Sequence, residues 1–414
     1  MFKKVIIFTL FLGVGVLFAD EGGLPGMFLE DGAGARSIAL GKSFVGLAND
    51  GEATYYNPAG LTQLVTNDLT FMAATLYGGA KQAFMCYALP TKYFGSFGFS
   101  YSGAYVSVDT GDLEPGREFI SAGYHGVLLS YAKDILPAFS VGLTYKIAYC
   151  PIGDYSTGVG HGFDLGIHLF PQRTVSFGAV GKNLLQPRIK YEGATEEAVF
   201  PRIFRFGAAV KFLENNLIFL SDLHLIPSKD TADKSILYYK FFEGIEYHPT
   251  SSAAVRLGLN SNEFTAGFGL TFPMPKVKLV TMHVDYAFLL HYHSRFLLGP
   301  TQKLSLSLRF GGFKTWVEAR PSVFNPAEKI TWFYVHIGAK GEITRWQFLI
   351  KNSLGEVVRS FGGFGEIPLT QSWDGRNEYG QIVPDGKYFY ELILTEDHTP
   401  RRYTGPLVTV KSKI

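Results

Sequence analysis

The chain has 414 residues, 47% hydrophobic and only 18% charged, which is too apolar for a disordered chain; its 47 glycines, without a collagen repeat, point to β-structure with many bends. A net charge of +2 gives no basic field of the kind that gathers nucleic acid, so nucleic acid is not expected as a partner. This length accommodates one large β-domain with a smaller companion.

At the start, Lys3 and Lys4 precede an apolar run from Val5 to Phe18 that ends at Ala19 before Asp20. This reads as a secretory signal peptide over 1–19, too short for an ordinary spanning helix. No later apolar stretch is long enough for a helical anchor. Two cysteines, Cys86 and Cys150, are too few for a disulfide framework. They read as separate side chains, with one disulfide as the alternative.

Residues 20–66 are expected to form an N-terminal plug segment. Asn57-Pro58 reads as a turn starter or N-cap that fixes the chain entering the first strand. Ala59 and Gly60 complete that turn, with Gly60 its sensitive position where the backbone is left-handed. The small residues from Gly32 to Ala35 do not make a nucleotide loop, because position 37 is Ser where a dinucleotide fingerprint needs Gly.

From residue 67 onward, large apolar and polar residues alternate, most clearly over Lys303 to Phe310. Such runs fall at 67–78, 81–89, 92–103, 121–133, 136–147, 160–170, 174–184, 203–212, 216–226, 238–248, 252–260, 263–273, 276–289 and 302–311. Every second connection is short, as at Pro90-Thr91 and Asp134-Ile135. The intervening segments 104–120, 148–159, 185–202, 227–237 and 290–301 are long and polar. Short turns at one end and long loops at the other, through fourteen strands with only 79–80 and 261–262 breaking the alternation, are the pattern of an outer-membrane barrel. In lipid, closure is the only arrangement that pairs every backbone amide of such a sheet. The predicted fold is therefore all-β: a fourteen-stranded transmembrane β-barrel over 67–312 with an N-terminal plug, in contact with outer-membrane lipid. The glycines are expected to relieve crowding where strands bend.

After a linker at 313–324, charged residues rise from roughly 16% to roughly 24% of the sequence, as befits a soluble domain over 325–414. The pairs Asp374-Gly375 and Asp385-Gly386 read as tight turns, and an alternating strand runs from Tyr388 to Leu394. Further strands near 329–337, 343–351, 355–361 and 402–410 make a small immunoglobulin-like sandwich.

Two family resemblances accompany these readings. Gly32 to Gly41, Phe44 to Asp50 and Tyr55-Tyr56-Asn57-Pro58-Ala59-Gly60-Leu61 resemble the N-terminal signature of PorV/PorQ-type outer-membrane proteins, relatives of the FadL long-chain fatty-acid transporters. The resemblance implies a role in protein secretion or surface attachment through exported client proteins, with a FadL-like channel for hydrophobic or small solutes as the alternative and a structural envelope anchor as a third reading. In the tail, Trp373-Asp374-Gly375 followed by Pro384-Asp385-Gly386 and Tyr388 is similar to the immunoglobulin-like domain of the flagellar hook-cap protein FlgD. That module would stand in the periplasm, where nothing in the sequence names its partner. Phe310, at the end of the last barrel strand, resembles the aromatic terminus that barrel-assembly machinery recognises.

Chemistry is thinly represented. The chain has no Gly-x-Ser-x-Gly elbow, His-Glu-x-x-His helix or Cys-x-x-Cys pair, so neither an enzyme nor a cofactor is expected. His291 and His293, with His283 upstream, read as loop polarity rather than metal ligands. Asp222-Leu223-His224 reads as polarity of the lumen.

Overall fold

A computed structural model describes Gly26 and residues 30–412, apart from 77–78, 92, 110–118, 137, 153–155, 173, 230–234, 275–279, 292–299, 314, 339–342 and 397–398. The expected signal peptide, residues 110–118 of the expected 104–120 loop and His293 lie outside these residues. Two compact units divide the chain, Met1–Phe310 and Gly311–Ile414.

The first unit is a closed antiparallel barrel of fourteen strands. In chain order these are β1 (Asn67–Thr75), β2 (Lys81–Pro90), β3 (Ser96–Asp109), β4 (Phe119–Leu136), β5 (Phe139–Ile152), β6 (Ser156–Gln172) and β7 (Val175–Leu185), then, after a two-stranded insert of β8 (Arg188–Ile189) and β9 (Ala198–Val199), β10 (Ile203–Phe212), β11 (Leu217–Lys229), β12 (Ser235–Thr250), β13 (Ala253–Asn260), β14 (Glu263–Pro273), β15 (Thr281–His291) and β16 (Thr301–Phe310). The strand count is the predicted one. Pairing of β1 with β16, from Asn67↔Phe310 to Thr75↔Gln302, closes the ring. Phe310 points outward and stacks on Tyr87 of β2 at the same rim.

Alternation decides which way each residue faces, and the result inverts a soluble protein. Phe71, Leu129, Leu143, Leu165, Phe177, Phe206, Leu257 and Leu304 are exposed on the outer wall, whereas Asp68, Thr144, Lys146, Asp164, Arg205, Glu246, Arg256 and Lys303 are buried inside. An apolar exterior around a charged interior is stable only where the surroundings are apolar.

Several strands run further than the hydrophobic pattern indicated. Segments 148–159 and 227–237, expected as loops, are largely strand: β5 and β6 reach Ile152 and Ser156, and β11 and β12 reach Lys229 and Ser235. The backbone ladder continues through Pro151, Gly158 and Pro227, which interrupt the hydrophobic alternation, because strand pairing does not require a regular apolar pattern. Cys86 and Cys150 are both free and buried.

The second unit packs a three-stranded sheet of β17 (Trp316–Arg320), β19 (Thr331–His336) and β22 (Thr370–Trp373) against a five-stranded one. The latter contains β18 (Val323–Phe324), β20 (Ile343–Lys351), β21 (Val357–Phe364), β23 (Gly386–Glu396) and β24 (Thr399–Val410). Thus 313–324, expected as a linker, supplies two strands, with Val317 and Phe324 in the core. Charge density marked the change of environment but not where folding resumes.

Trp373 lies at the centre of that core, edge-on to Phe324 and Tyr388 with ring centroids 5.7 and 5.3 Å away. Its indole N–H donates to the Arg376 carbonyl at 2.9 Å. Asp374 accepts from the Arg376 amide, and Gly375 takes a positive φ of 73° against Pro326. Tyr388 donates its hydroxyl to the Pro384 carbonyl at 2.7 Å. Asp385 accepts from the amide and hydroxyl of Ser412, which ties the last strand to the turn before Gly386.

Candidate functional site

The lumen of the barrel is filled by the chain's own N-terminal segment. Helix α1 (Ala35–Ala39), helix α2 (Ala53–Tyr56) and a 3₁₀ helix (Pro58–Gln63) form a plug whose Ile38, Leu40, Phe44, Leu47 and Leu61 are fully buried. None of these helices is long enough to be stable alone. Their order comes from the wall.

Wall side chains reach inward to the plug backbone. Asp222 accepts the amides of Phe44 and Val45, each at 2.9 Å, and Ser305 accepts the Ala35 amide at 2.8 Å. Thr265 accepts the Gly41 amide at 3.0 Å, and Ser176 donates to the Gly46 carbonyl at 2.7 Å. Asp222 therefore does more than lend polarity, since it satisfies two amides that a short irregular segment leaves without partners.

The predicted turn lies at the heart of this packing. Asn57 caps the 3₁₀ helix by accepting the Ala59 amide, while its side-chain amide donates to the carbonyls of Val45 and Ile167. Pro58 occupies the first helical position, where the missing N–H costs nothing. Gly60 has no positive φ; a Cβ there would collide with Ala48. Its constraint is close packing rather than left-handed backbone.

The glycine excess also has a cause other than the one expected. Gly142, Gly166, Gly178, Gly207, Gly244 and Gly258 face the lumen on six strands, and a Cβ on any of them would strike the plug. Several are direct cross-strand neighbours, including Gly142↔Gly166, Gly178↔Gly207 and Gly244↔Gly258. Together they seat the plug backbone against the wall. They do not mark bends. A branched side chain at Gly258 should therefore eject the local plug backbone while leaving outward residues untouched: Gly258→Val should assemble as a heat-modifiable barrel but lose proteolytic protection over 36–46. Undiminished protection would refute the seating role.

Charge holds the same assembly together. Arg36 makes a two-pronged contact with Glu246 (2.8 and 3.0 Å) and reaches Asp50 at 2.6 Å and Asn49 at 2.8 Å. Glu246 is shared with Arg256 at 2.6 Å, and Arg256 continues to Asp285 at 2.8 Å. Arg309 pairs with Asp68 at 3.0 Å. No sequence motif marks these pairings, because the partners are far apart in sequence and meet only when the barrel closes.

Among the described residues no cation pairs directly with Glu52, which accepts from the Ser37 amide at 3.1 Å. Burial, with the Asp50 carboxylate nearby, pushes its carboxyl well above the ordinary range. A carboxyl raised on folding stabilises most below its unfolded value of about 4.3, and that contribution is lost as pH rises through the folded value. Glu52→Gln should then match the parent near pH 4 and exceed it in plug stability at alkaline pH, read from hydrogen exchange over 50–60. A parent that is the more stable at alkaline pH would contradict this.

Near the rim away from Phe310, the β8–β9 insert folds inward, with Ile189 and Phe200 packed beside Ala148 and Cys150. An open depression of about 1020 Å³ lies over β15, β16 and β1 to β4, lined by Ala73, Ala83, Tyr101, Tyr105, Tyr286 and Lys303 among others. The ladder beneath it is unbroken, from Asp68↔Ala88 to Thr75↔Lys81 and from Lys81↔Tyr105 to Pro90↔Ser96, so no gap opens sideways there.

The candidate histidines do not converge. His283 meets Thr271 at 2.9 Å, and His291 meets Glu263 at 3.2 Å. Among the described residues, no group of three or more His, Cys, Asp or Glu side chains is arranged to hold a metal.

No protein-family model and no curated protein matches the chain. Solved structures do. A structure titled CymD monoaromatic hydrocarbon channel aligns with a TM-score of 0.50 at 10% identity, over 68% of this chain and 97% of that one. The barrel has that channel's fold. Also similar are the Pseudomonas putida toluene transporter TodX (TM-score 0.47, 12% identity, 67% and 97% coverage) and a Pseudomonas aeruginosa FadL homologue (0.43, 12%, 66% and 96%). All three are covered almost end to end, by about two thirds of this chain.

Proposed function

We propose that the protein is an outer-membrane channel for small hydrophobic solutes, gated by its N-terminal plug. The carrying observation is a fourteen-stranded barrel with an apolar exterior whose lumen is closed by a segment of the same chain. That architecture suits a pore that must stay shut to water and open to particular solutes. The fold shared with a monoaromatic hydrocarbon channel supports the same reading.

The secretion-accessory reading rests on the stretch from Arg36 to Leu61. Its side chains point into the barrel, where Arg36, Asn57 and their neighbours bond to the wall and to one another. The channel reading is therefore preferred to client binding. The tail, with its hook-cap-like Trp373 to Tyr388 block, would lie in the periplasm and could tether the barrel to another envelope component.

Toluene entry into proteoliposomes containing the full chain tests the proposal. Saturable uptake above empty vesicles is expected, with faster entry when plug contacts are weakened. Uptake no faster than through bare lipid, in parent and plug variants alike, would reject it.

A further inference from the structure

The lumen holds a second set of charges with a different character. Lys182 on β7 and Arg205 on β10 are both about 2% exposed, and both grip one carboxylate, that of Glu30 at the start of the described plug. Lys182 approaches Glu30 Oε1 at 2.8 Å, while Arg205 binds Oε2. Beside them Lys146 pairs with Asp164 at 2.9 Å, and Asp222 is engaged with the Phe44 and Val45 amides. Glu30 is thus the carboxylate that these two buried cations share.

The surroundings are aromatic and incompletely satisfied. Lys182 lies 4.6 Å from the centroid of the Tyr55 ring. Directly across the ladder from Arg205 is His224, which is buried, packs 4.0 Å from the Phe242 ring, and has no hydrogen-bond partner at Nε2. A buried ring nitrogen without a partner is costly and marks a place where a polar ligand atom would be favoured.

Electrostatics restricts what can replace Glu30. A neutral hydrocarbon entering here would remove the carboxylate that touches both Lys182 and Arg205 and leave them the more distant fields of Asp164 and Asp222, an unfavourable exchange. A solute carrying its own carboxylate exchanges one anion for another, and a ring beside that carboxylate would find Tyr55 and Phe242. We propose that Lys182 and Arg205, with His224 beside them, form a binding site for small aromatic monocarboxylates, in which Glu30 is an internal stand-in displaced by the solute. The solute's passage rests on the channel reading; the binding site does not.

Benzoate and its neutral analogue benzyl alcohol are the probes, used with the full chain in lipid nanodiscs. Glu30→Ala should lower the thermal midpoint of the plug, and millimolar benzoate should restore it while benzyl alcohol does not. Glu30→Gln, which keeps the side-chain volume, should raise benzoate affinity at least tenfold over the parent. Adding Lys182→Gln should abolish that gain. Equal responses to benzoate and benzyl alcohol, or a benzoate affinity unchanged by Glu30→Gln, would overturn the site. Toluene flux measured in parallel separates the two ideas: flux with no benzoate binding sinks the site alone, whereas benzoate binding with no flux of either compound upholds the site and removes the channel reading.

Discussion

Arg36→Met should release the plug without unfolding the barrel. The substitution leaves Asp50 and Glu246 in place, both at most 5% exposed at the side chain, and removes the one cation that touches both. Breaking a buried pair by deleting one partner costs about 3–5 kcal/mol, because the remaining charge stays buried without compensation. Arg256 still holds Glu246 and Arg309 stays 3.8 Å from Asp50, so the loss falls on the plug and lies toward the lower end of that range. Amides over 35–60 should exchange faster by two to three orders of magnitude, with the wall strands unaffected, and cells carrying the variant should admit large antibiotics more readily than cells carrying the parent. Arg36→Lys should be intermediate, since an ammonium cannot reproduce the two-pronged contact with Glu246. Parent-like exchange and exclusion in the Met variant would show that backbone anchors alone hold the plug.

Trp373→Ala should cost the tail about 3–5 kcal/mol, the range for truncating a buried Trp. The ring is 1% exposed, both of its aromatic neighbours come from the five-stranded sheet facing it, and its N–H closes the turn at Arg376. For a unit of this size that is a large share of total stability. Denaturant unfolding of residues 311–414 should be cooperative in the parent and shift strongly in the variant. A fragment beginning at Asn325 should be less stable than one beginning at Gly311, because it lacks Val317 and Phe324. A shift for Trp373→Ala below about 1 kcal/mol would mean that the core rearranges around the gap.

Some of this organisation follows from sequence alone, for a local reason. Alternation along a strand is a one-dimensional property, so Lys303 to Phe310 declares its two faces without any knowledge of its neighbours, and fourteen such runs with alternating short and long connections identify the barrel. Asn57-Pro58 and Trp373-Asp374-Gly375 are likewise legible, because capping and tight turns involve residues only a few positions apart. Closure decided the rest. Arg36 and Glu246 lie 210 positions apart. Glu30 meets Lys182 and Arg205 only when β7 and β10 curve round the plug. The lumen glycines look like bend residues until the plug is seen lying on them. The β5 to β6 and β11 to β12 extensions were hidden because Pro151, Gly158, Gly160, Pro227 and Ser228 interrupt the alternation while the backbones stay paired. Pattern along the chain set which face of each strand is apolar, whereas the charges that close the lumen acquired partners only in three dimensions, since the free energy of a buried ion depends on what stands opposite it.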